Sequence, residues 1–419
     1  MESEMEKRFA NPWWVVFGSI FGLIVGNGPI MQFTFGVFLK PITQEFGWER
    51  STTSSALVVG LLATGLCVPI AGRLMDKYGV RAVALPSITA FALAMVALAF
   101  FANSPMAFLA IYALMGIAAA GQTPMPYSKA ITAAFDDKRG LALGIAMAGV
   151  GIGAAAVPQI AQYLVTNHGW RGAYVGLGAL TFLLAFPAVA LFVNTEPAVK
   201  REGAAAPIPR PGLTAAEALK SGTFWALAVA FFSVAMASNG TIGHIVPLLT
   251  DRGFSPQIAA GAMTFAGIAL VAGRFVAGYL LDRIFAPYVA AFFFIIPLLG
   301  IGLMLLAPGQ TTATIAVVMI GLGLGAEVDL IAYLVSRYLG MRSFGEIYGY
   351  LFMIFMLGNA VGPFLMGISF KYWGYEACLT GFVAALAIAS GLVLRLGAYA
   401  FPPERRGPPP ASGTKPAIA

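Results

Sequence analysis

One arginine lies inside a run of apolar residues that is long enough to cross a lipid bilayer. Between Phe265 and Leu281 the only charged side chain is that of Arg274. A cation in the middle of a membrane helix costs roughly 2.5–3.5 kcal/mol on insertion scales, so it persists where water, a carboxylate or an anionic ligand compensates it. Ligand binding, which we favour, and structural pairing with an acid both explain Arg274, and the two can coexist.

Two carboxylic acids lie within another apolar run, residues 311–336. Glu327 and Asp329 are two residues apart and point about 160° from each other on a helix, so only one can face a cavity squarely. Counted from the arginines at the ends of their helices, at about 1.5 Å per residue, Asp329 and Arg274 lie at a similar depth. One acid can neutralise Arg274, and a buried acid can also take up a proton. We expect Asp329 to be the first proton carrier, then Glu327, with His244 as the fallback.

Other polar side chains interrupt the apolar runs. Two prolines in the stretch from Gln122 to Tyr127 free backbone carbonyls where the chain can line a cavity. The imidazole of His244 can donate to a carboxylate or accept a proton near neutral pH. Each of these residues alone is explained as well by helix packing, and only their convergence on several helices indicates a site. The candidate substrate contacts beside Arg274 are Asn27, Gln32, Gln122, Tyr127, Asn239, His244, Tyr333 and Asn359.

The composition requires long apolar helices to hold these residues. Of 419 residues, 59% are hydrophobic and 10% are charged, which excludes a soluble globular chain and predicts a polytopic membrane protein. The net charge is +7, but the basic residues are scattered through short loops, which argues against nucleic-acid binding. No nucleophile and base set, metal-ligand cluster or phosphate loop appears, so neither an enzymatic activity nor a cofactor or metal is expected.

Polar and Gly/Pro-rich breaks divide the chain into twelve apolar segments, each long enough to span a bilayer. Eighteen Lys and Arg residues fall on one side of the predicted membrane and five on the other, while Lys129 and Arg274 lie within helices. This bias predicts that both termini are cytoplasmic. The segments are 13–38, 51–75, 80–102, 105–134, 140–166, 170–193, 222–250, 256–281, 286–308, 311–336, 343–370 and 374–399.

The chain divides into two halves at a polar stretch that contains four prolines. Glycine, proline and aspartate recur between the halves at offsets of 206 and 205 residues, which indicates a duplication. The repeated pairs are Gly47/Gly253, Gly72/Gly278, Asp76/Asp282, Gly144/Gly349, Gly153/Gly358, Pro158/Pro363 and Gly169/Gly374. We therefore expect a cytoplasmic N-terminus at 1–12, six-helix bundles at 13–193 and 222–400, a cytoplasmic linker at 194–221, and a disordered cytoplasmic tail at 401–419.

The loop after the second segment carries a motif that the second half repeats. Gly72-Arg-Leu-Met-Asp76-Lys77-Tyr-Gly79-Val-Arg81 and its echo Gly278-Tyr-Leu-Leu-Asp282-Arg283 resemble the G-x-x-x-D-R/K-x-G-R/K signature of the major facilitator superfamily. The resemblance implies an all-α membrane fold of twelve helices in two pseudo-symmetric six-helix bundles. It also implies a latch that holds one end of the transport path shut. The residues expected to form the latch are Asp76, Arg81, Asp282, Arg283, Arg139 and Arg342.

Within that superfamily the chain resembles the monocarboxylate porters and the oxalate/formate antiporters. The likeness rests on Asn11-Pro-Trp-Trp, Phe35-Gly-Val-Phe-Leu, Phe46-Gly-Trp-Glu-Arg-Ser51, Asp137-Lys-Arg-Gly-Leu-Ala-Leu-Gly144-Ile145 and the arginine of the eighth segment. It implies that Arg274 binds a substrate carboxylate. The chain departs from the animal porters at Leu270, where they carry an aspartate, and in lacking a lysine within the first helix. The lysine that the antiporters have in the eleventh helix is also missing, so a second cation for a dicarboxylate is absent.

These observations together predict an alternating-access transporter of small monocarboxylates of the lactate or pyruvate kind. We expect it to work as a proton-coupled symporter in the cytoplasmic membrane of the cell, as a monomer in the lipid bilayer. Three alternatives remain open: an organic-anion exchanger, a transporter of a cation or zwitterion that uses Glu327 or Asp329 as counter-charge, and a nutrient sensor that binds without transport. The short linker and tail count against the sensor.

Overall fold

The computed structural model describes residues 11–48, 50–193, 211–306 and 309–401. These residues are mostly helical, and the only strand-like pairing among them is an isolated bridge between Gly212 and Gly340. Eleven helical stretches are long and apolar enough to cross a membrane. One of them, Arg139–Phe192, consists of two helices that meet at Gly169, so the described residues form twelve spans. The predicted all-α membrane fold is confirmed.

The first half of the chain builds six spans from seven helices. A π-helical turn, Gly28–Phe33, joins the first two helices into one span, and a 3-10 turn, Ala120–Gln122, interrupts the fourth span. The helices are α1 (Trp13–Ile24), α2 (Phe35–Phe46), α3 (Arg50–Tyr78), α4 (Val80–Phe101), α5 (Pro105–Ala119), α6 (Pro124–Ala134) and α7 (Arg139–Phe192).

The second half repeats this plan after a short helix in the predicted linker. That helix begins with a capping box formed by Thr214 and Glu217. The helices are α8 (Ala215–Lys220), α9 (Gly222–Gly243), α10 (Ile245–Asp251), α11 (Pro256–Leu281), α12 (Ala286–Leu306), α13 (Gln310–Tyr338), α14 (Phe344–Trp373) and α15 (Tyr375–Leu394). The predicted N-terminus to residue 10, linker residues 194–210 and tail residues 402–419 lie outside the described residues.

The helix bounds follow the twelve predicted segments closely except in the first span. The sequence places the end of that span at residue 38, whereas α2 continues to Phe46. Polar residues such as Lys40, which is exposed, prolong the helix beyond the apolar stretch, and Pro41 is tolerated within it. The helix ends at Gly47, whose φ of 66° lies in the left-handed region that favours glycine.

Glycines bring the two halves into backbone contact at one end of the bundle. Gly140 of α7 faces Gly278 of α11, and a Cβ placed on Gly278 would lie 2.7 Å from the Gly140 carbonyl oxygen. Gly345 of α14 faces Gly72 of α3 in the same way. We call this end, which also holds Asp76 and Asp282, the closed end, and the opposite one the open end. Six hydrogen bonds join described residues of the two halves at the closed end, and one more, from Arg274, lies near the middle of the helices.

Candidate functional site

A cavity of about 160 Å³ lies between the two halves, near the middle of the helices. Its polar lining combines Arg274 of the second half with Asn27, Gln32 and Gln122 of the first. The cavity is smaller than the ~300–1,000 Å³ of pockets for drug-sized ligands, so it suits a molecule of few heavy atoms. The other lining residues are Leu23, Gly26, Gly28, Pro29, Phe33, Pro124, Met147, Val150, Val328, Phe352 and Met356.

Arg274 is held at the cavity by close helix packing. A Cβ on Gly144 of α7 would lie 2.9 Å from the Arg274 carbonyl oxygen, and one on Gly325 of α13 would lie 3.0 Å from its backbone nitrogen. The backbones of two other helices therefore approach this helix closely at its glycine-facing positions. The guanidinium Nη1 donates to the carbonyl oxygen of Met147 across the boundary between the two halves, which we call the seam. The buried Nε of Arg274 has no hydrogen-bond partner among the described residues.

Glu327 and Asp329 are buried in α13, and most of their carboxylate oxygens lack hydrogen-bond partners among the described residues. Asp329 is 0% exposed and Glu327 is 2% exposed. Both carboxylate oxygens of Asp329 and Oε1 of Glu327 lack hydrogen-bond partners among the described residues. Both acids are electrostatically coupled to Arg274, but neither forms an ion pair with it within 4.0 Å. Direct neutralisation of Arg274 by an acid, one of the two interpretations left open by the sequence, is thus not found in this conformation.

The amide side chains reach the cavity where the helices of the first half are irregular. Asn27 precedes the π-helical turn, and Gln32 lies within it. Gln122 ends the 3-10 turn that interrupts the fourth span. It is fully buried, and neither its amide oxygen nor its amide nitrogen has a partner among the described residues. Because an amide both donates and accepts, Gln122 can serve a ligand group of either kind.

Three other predicted contact residues lie away from the cavity in the second half. Asn239 Nδ2 donates to Asn359 Oδ1 at 2.6 Å, which ties α9 to α14. His244 stands at the break between α9 and α10. Its ring centroid lies 6.4 Å from that of Tyr375, and its buried Nδ1 has no partner among the described residues. These positions favour the packing interpretation for the two asparagines.

Two predicted tyrosines also lie outside the cavity lining. Tyr127 is fully buried against Gly22 of α1, where a Cβ would collide with its ring. Tyr333 lies toward the closed end, with its ring centre 5.4 Å from the guanidinium carbon of Arg337. The position of a tyrosine along its helix does not show in which direction its side chain points.

Asp76 latches the first half to the second. Its Oδ1 accepts a hydrogen bond from the backbone N–H of Gly345 at 2.9 Å, and its Oδ2 accepts one from that of Glu346 at 2.8 Å. Asp76 therefore caps the N-terminus of α14, where the helix dipole favours a negative charge. Lys129 of α6 donates to the same carboxylate at 2.6 Å. The sequence assigned no role to Lys129, although a lysine within an apolar helix was a sign of one.

Asp282 forms the matching latch in the opposite direction. It accepts hydrogen bonds from the backbone N–H groups of Gly140, at 2.7 Å, and Leu141, at 2.8 Å, and so caps α7 of the first half. Burial raises the pKa of Asp282, while the two N–H groups and the nearby Arg139 act in the opposite direction. Gly140 and Gly345 are separated by the 205-residue offset of the repeat. This pair could have revealed the crossed latch, in which each aspartate caps a helix of the opposite half.

The arginines predicted for the latch divide into two groups. Arg139 crosses the seam, since its Nη1 donates to Ser336 Oγ of α13 at 2.9 Å. Arg81 instead donates to the carbonyl oxygens of Leu191 and Val193, and so ties α4 to the end of α7 within the first half. The guanidinium of Arg283 lies above the ring of Tyr279 in the same half, and Arg342 is exposed. Neither arginine makes a seam contact among the described residues.

Asparagine at Asp76 or Asp282 is expected to slow turnover and leave substrate affinity unchanged. Each substitution removes the charge that faces a helix N-terminus, an interaction of about 0.3–2 kcal/mol, which corresponds to roughly a 2- to 30-fold shift between conformations. Asp76→Asn also removes the carboxylate that pairs with Lys129, so its effect is expected to be the larger of the two. Turnover and binding of the purified variants check this. Asp137→Asn, an exposed aspartate at the same end, is the matched control. Unchanged turnover in both variants would remove the two aspartates from the mechanism.

The fold, the cavity between the halves and the crossed latch define a multi-pass membrane transporter. The sequence model of the Major Facilitator Superfamily matches residues 22–363, and the chain belongs to this superfamily. Its members are transporters, and the absence of an enzymatic site from the sequence agrees with that. The functional class is therefore established.

Relatives with named substrates align over most of the chain. Rat monocarboxylate transporter 13 is 27% identical over 387 residues, which cover 92% of this chain and 87% of the relative. The gallate transporter of Pseudomonas putida is 25% identical over 435 residues, 92% of this chain and 93% of the relative. The oxalate:formate antiporter of Oxalobacter formigenes is 28% identical over 261 residues, 61% of this chain and 58% of the relative.

Solved structures share the fold at low sequence identity. The Escherichia coli fucose:proton symporter superposes with a TM-score of 0.70 at 13% identity, covering 93% of this chain and 99% of the symporter. A bacterial homologue of the iron transporter ferroportin, in an outward-facing state, superposes with a TM-score of 0.72 at 11% identity, covering 92% and 98%. These likenesses establish the fold alone.

Proposed function

We propose that this transporter moves a small monocarboxylate of the lactate or pyruvate kind and that Arg274 binds the carboxylate. The observation that carries the proposal is a guanidinium at the cavity between the halves, with an unpartnered Nε and no carboxylate within 4.0 Å among the described residues. A buried charge without a counter-charge is costly, and an anionic ligand removes much of that cost. Relatives named as monocarboxylate transporters support the same class of substrate.

The cavity supports a small substrate with a second polar group. The carboxylate would lie against Arg274, while the buried amide of Gln122 and those of Asn27 and Gln32 would serve a keto or hydroxyl oxygen. No second cation lines the cavity among the described residues, which favours a monocarboxylate over a dicarboxylate. With the closed end in the cytoplasm, as the Lys and Arg bias predicts, this conformation faces outward in the cytoplasmic membrane.

Asp329 and Glu327 support coupling to a proton. Burying a carboxylate without hydrogen-bond donors is costly, so an acid in this position is suited to carry a proton. An arriving substrate carboxylate would compete with Asp329 for the field of Arg274 and strengthen its proton affinity. By reciprocity, protonation then strengthens substrate binding by the same factor.

Uptake of pyruvate into proteoliposomes, with and without an imposed pH gradient, tests this proposal. We expect an inward proton gradient to drive uptake by the native protein, and Asp329→Asn to abolish that dependence. Glu327→Gln and His244→Gln show whether a different group carries the proton. If uptake does not depend on the pH gradient and requires only an anion on the opposite side of the membrane, the protein is an exchanger and not a proton symporter. Binding of amines rather than acids would indicate a cationic substrate.

A further inference from the structure

Helix α13 presents a ladder of three polar residues on one face. Asp329, Tyr333 and Arg337 are four residues apart, a spacing that places side chains above one another on a helix. All three residues are buried, and only 3% of Arg337 is exposed. At 1.5 Å per residue the ladder spans about 12 Å, from the depth of the cavity to the closed end. The last residue of the ladder lies at the boundary between the halves, because Arg337 contacts Asp136 of the first half.

Arg337 is a second buried guanidinium whose hydrogen-bonding capacity is largely unfilled. Its Nη2 donates to the carbonyl oxygen of Asp136 at 3.2 Å, a long bond that crosses the seam. Its Nε is buried and has no partner among the described residues, and no carboxylate lies within 4.0 Å of it there. The ring of Tyr333 lies beside the guanidinium, which brings an aromatic hydroxyl into its neighbourhood.

The carboxylates near Arg337 are engaged elsewhere. Asp136 pairs through its side chain, 54% exposed, with Arg139 at 2.9 Å. Asp282 accepts two backbone N–H bonds from α7. The buried guanidinium of Arg139 also repels that of Arg337, because both reach the same aspartate. Two cations are thus packed together at the closed end, and only one of them has an acidic partner in contact.

We propose that Arg337 and Tyr333 form a second carboxylate-binding station, between the cavity and the closed end, which the substrate occupies as that end opens. The station rests on the proposed function, since it requires an anionic substrate. Asp136 belongs to the first half and Arg337 to the second, so separation of the halves withdraws the Asp136 carbonyl from Nη2. The planar fork of the guanidinium then has adjacent N–H groups free for two-pronged binding of a carboxylate.

The station can be detected because substrate that enters from the closed end meets it before it reaches Arg274, whereas substrate that enters from the open end meets it only on release. Pyruvate transport is measured in right-side-out and inside-out membrane vesicles. Arg337→Gln is expected to raise the KM at the closed end by about tenfold or more, the usual loss for a hydrogen bond to a charged group. The KM at the open end stays within about twofold of the native value. Tyr333→Phe shifts the closed-end KM in the same direction by less, and Arg395→Gln, an exposed arginine at the same end, leaves both values unchanged.

A role for Arg337 in the latch alone gives a different pattern. A change in the balance of conformations lowers the apparent KM on one side and raises it on the other, because apparent affinity scales with the population of the competent state. Such opposite shifts, matched by Asp282→Asn, would overturn the station, as would an unchanged closed-end KM. A native protein that does not transport pyruvate, or in which Arg274→Gln is without effect, would instead overturn the proposed function.

Discussion

Replacing Arg274 with glutamine is expected to abolish pyruvate binding while the protein stays folded and monodisperse. The substitution removes the cation that lines the cavity but keeps a polar side chain, and it leaves Gly273 and Gly278, through which α11 packs, unchanged. Loss of one partner of a buried, charge-assisted pair costs about 2–5 kcal/mol, a reduction in affinity of roughly 30- to several thousand-fold. Thermal shift of the purified protein against a series of mono- and dicarboxylates measures this loss.

Lysine at position 274 is the matched control, because it keeps the positive charge of Arg274 but not the planar geometry of the guanidinium. It retains the cation, but a single ammonium cannot bind both carboxylate oxygens as the guanidinium fork does, so we expect poor rescue. A glutamine variant that unfolds in detergent would show that Arg274 serves the structure. A well-folded glutamine variant that binds pyruvate with native affinity would place the substrate site elsewhere.

Alanine at Gly278 is expected to prevent the closed end from closing. The new Cβ would lie 2.7 Å from the Gly140 carbonyl oxygen and 3.2 Å from its carbonyl carbon. Both are backbone atoms at the start of α7, which cannot move aside without breaking the hydrogen bonds to Asp282. Since packed seams are bistable rather than continuously deformable, we expect the halves to remain apart at this end and transport to fall by about tenfold or more.

Gly267→Ala is the control, because it makes the same substitution in the same helix. A Cβ on Gly267 meets nothing within 4 Å. Any general effect of alanine on α11 therefore appears in both variants, whereas the effect on the seam appears only in Gly278→Ala. Opening is read from the rate at which a membrane-impermeant maleimide labels Ser336→Cys, a position buried at the closed end in the native protein. Native transport and native labelling in Gly278→Ala would show that the seam does not need to close.

Much of the architecture could be predicted because a bilayer restricts what a chain can do. Backbone groups in lipid must be bonded internally, so long apolar segments are helices, and the bounds of α11 and α13 agree with the sequence to within two residues. The repeat offsets of glycine, proline and aspartate indicated the two halves. Arg274 stood out because a charge in such a segment is expensive, and it does line the cavity.

What could not be predicted was which side chains turn toward one another. Tyr333 and Tyr127 lie at suitable positions along their helices, yet one faces Arg337 and the other packs against Gly22. Facing directions depend on helix rotation and on the partner helix, and a single sequence carries neither. The prolines after Gln122 indicated an open backbone near the turn Ala120–Gln122, whereas the turn Gly28–Phe33, which holds Gln32 at the cavity, was not predicted.

The glycine joints at the open end bear on how the protein moves within its lipid. The two helices within α7 meet at Gly169 alone, and α14 meets α15 at Gly374 alone. These repeat-related positions have φ values of 69° and 80°, which leave no slack of the kind that a loop provides. Because no loop separates them, we expect the tilt of a helix at the boundary between the halves to move its outer neighbour within the surrounding acyl chains. The viscosity and lateral pressure of the membrane thus act as a mechanical load on every transport cycle.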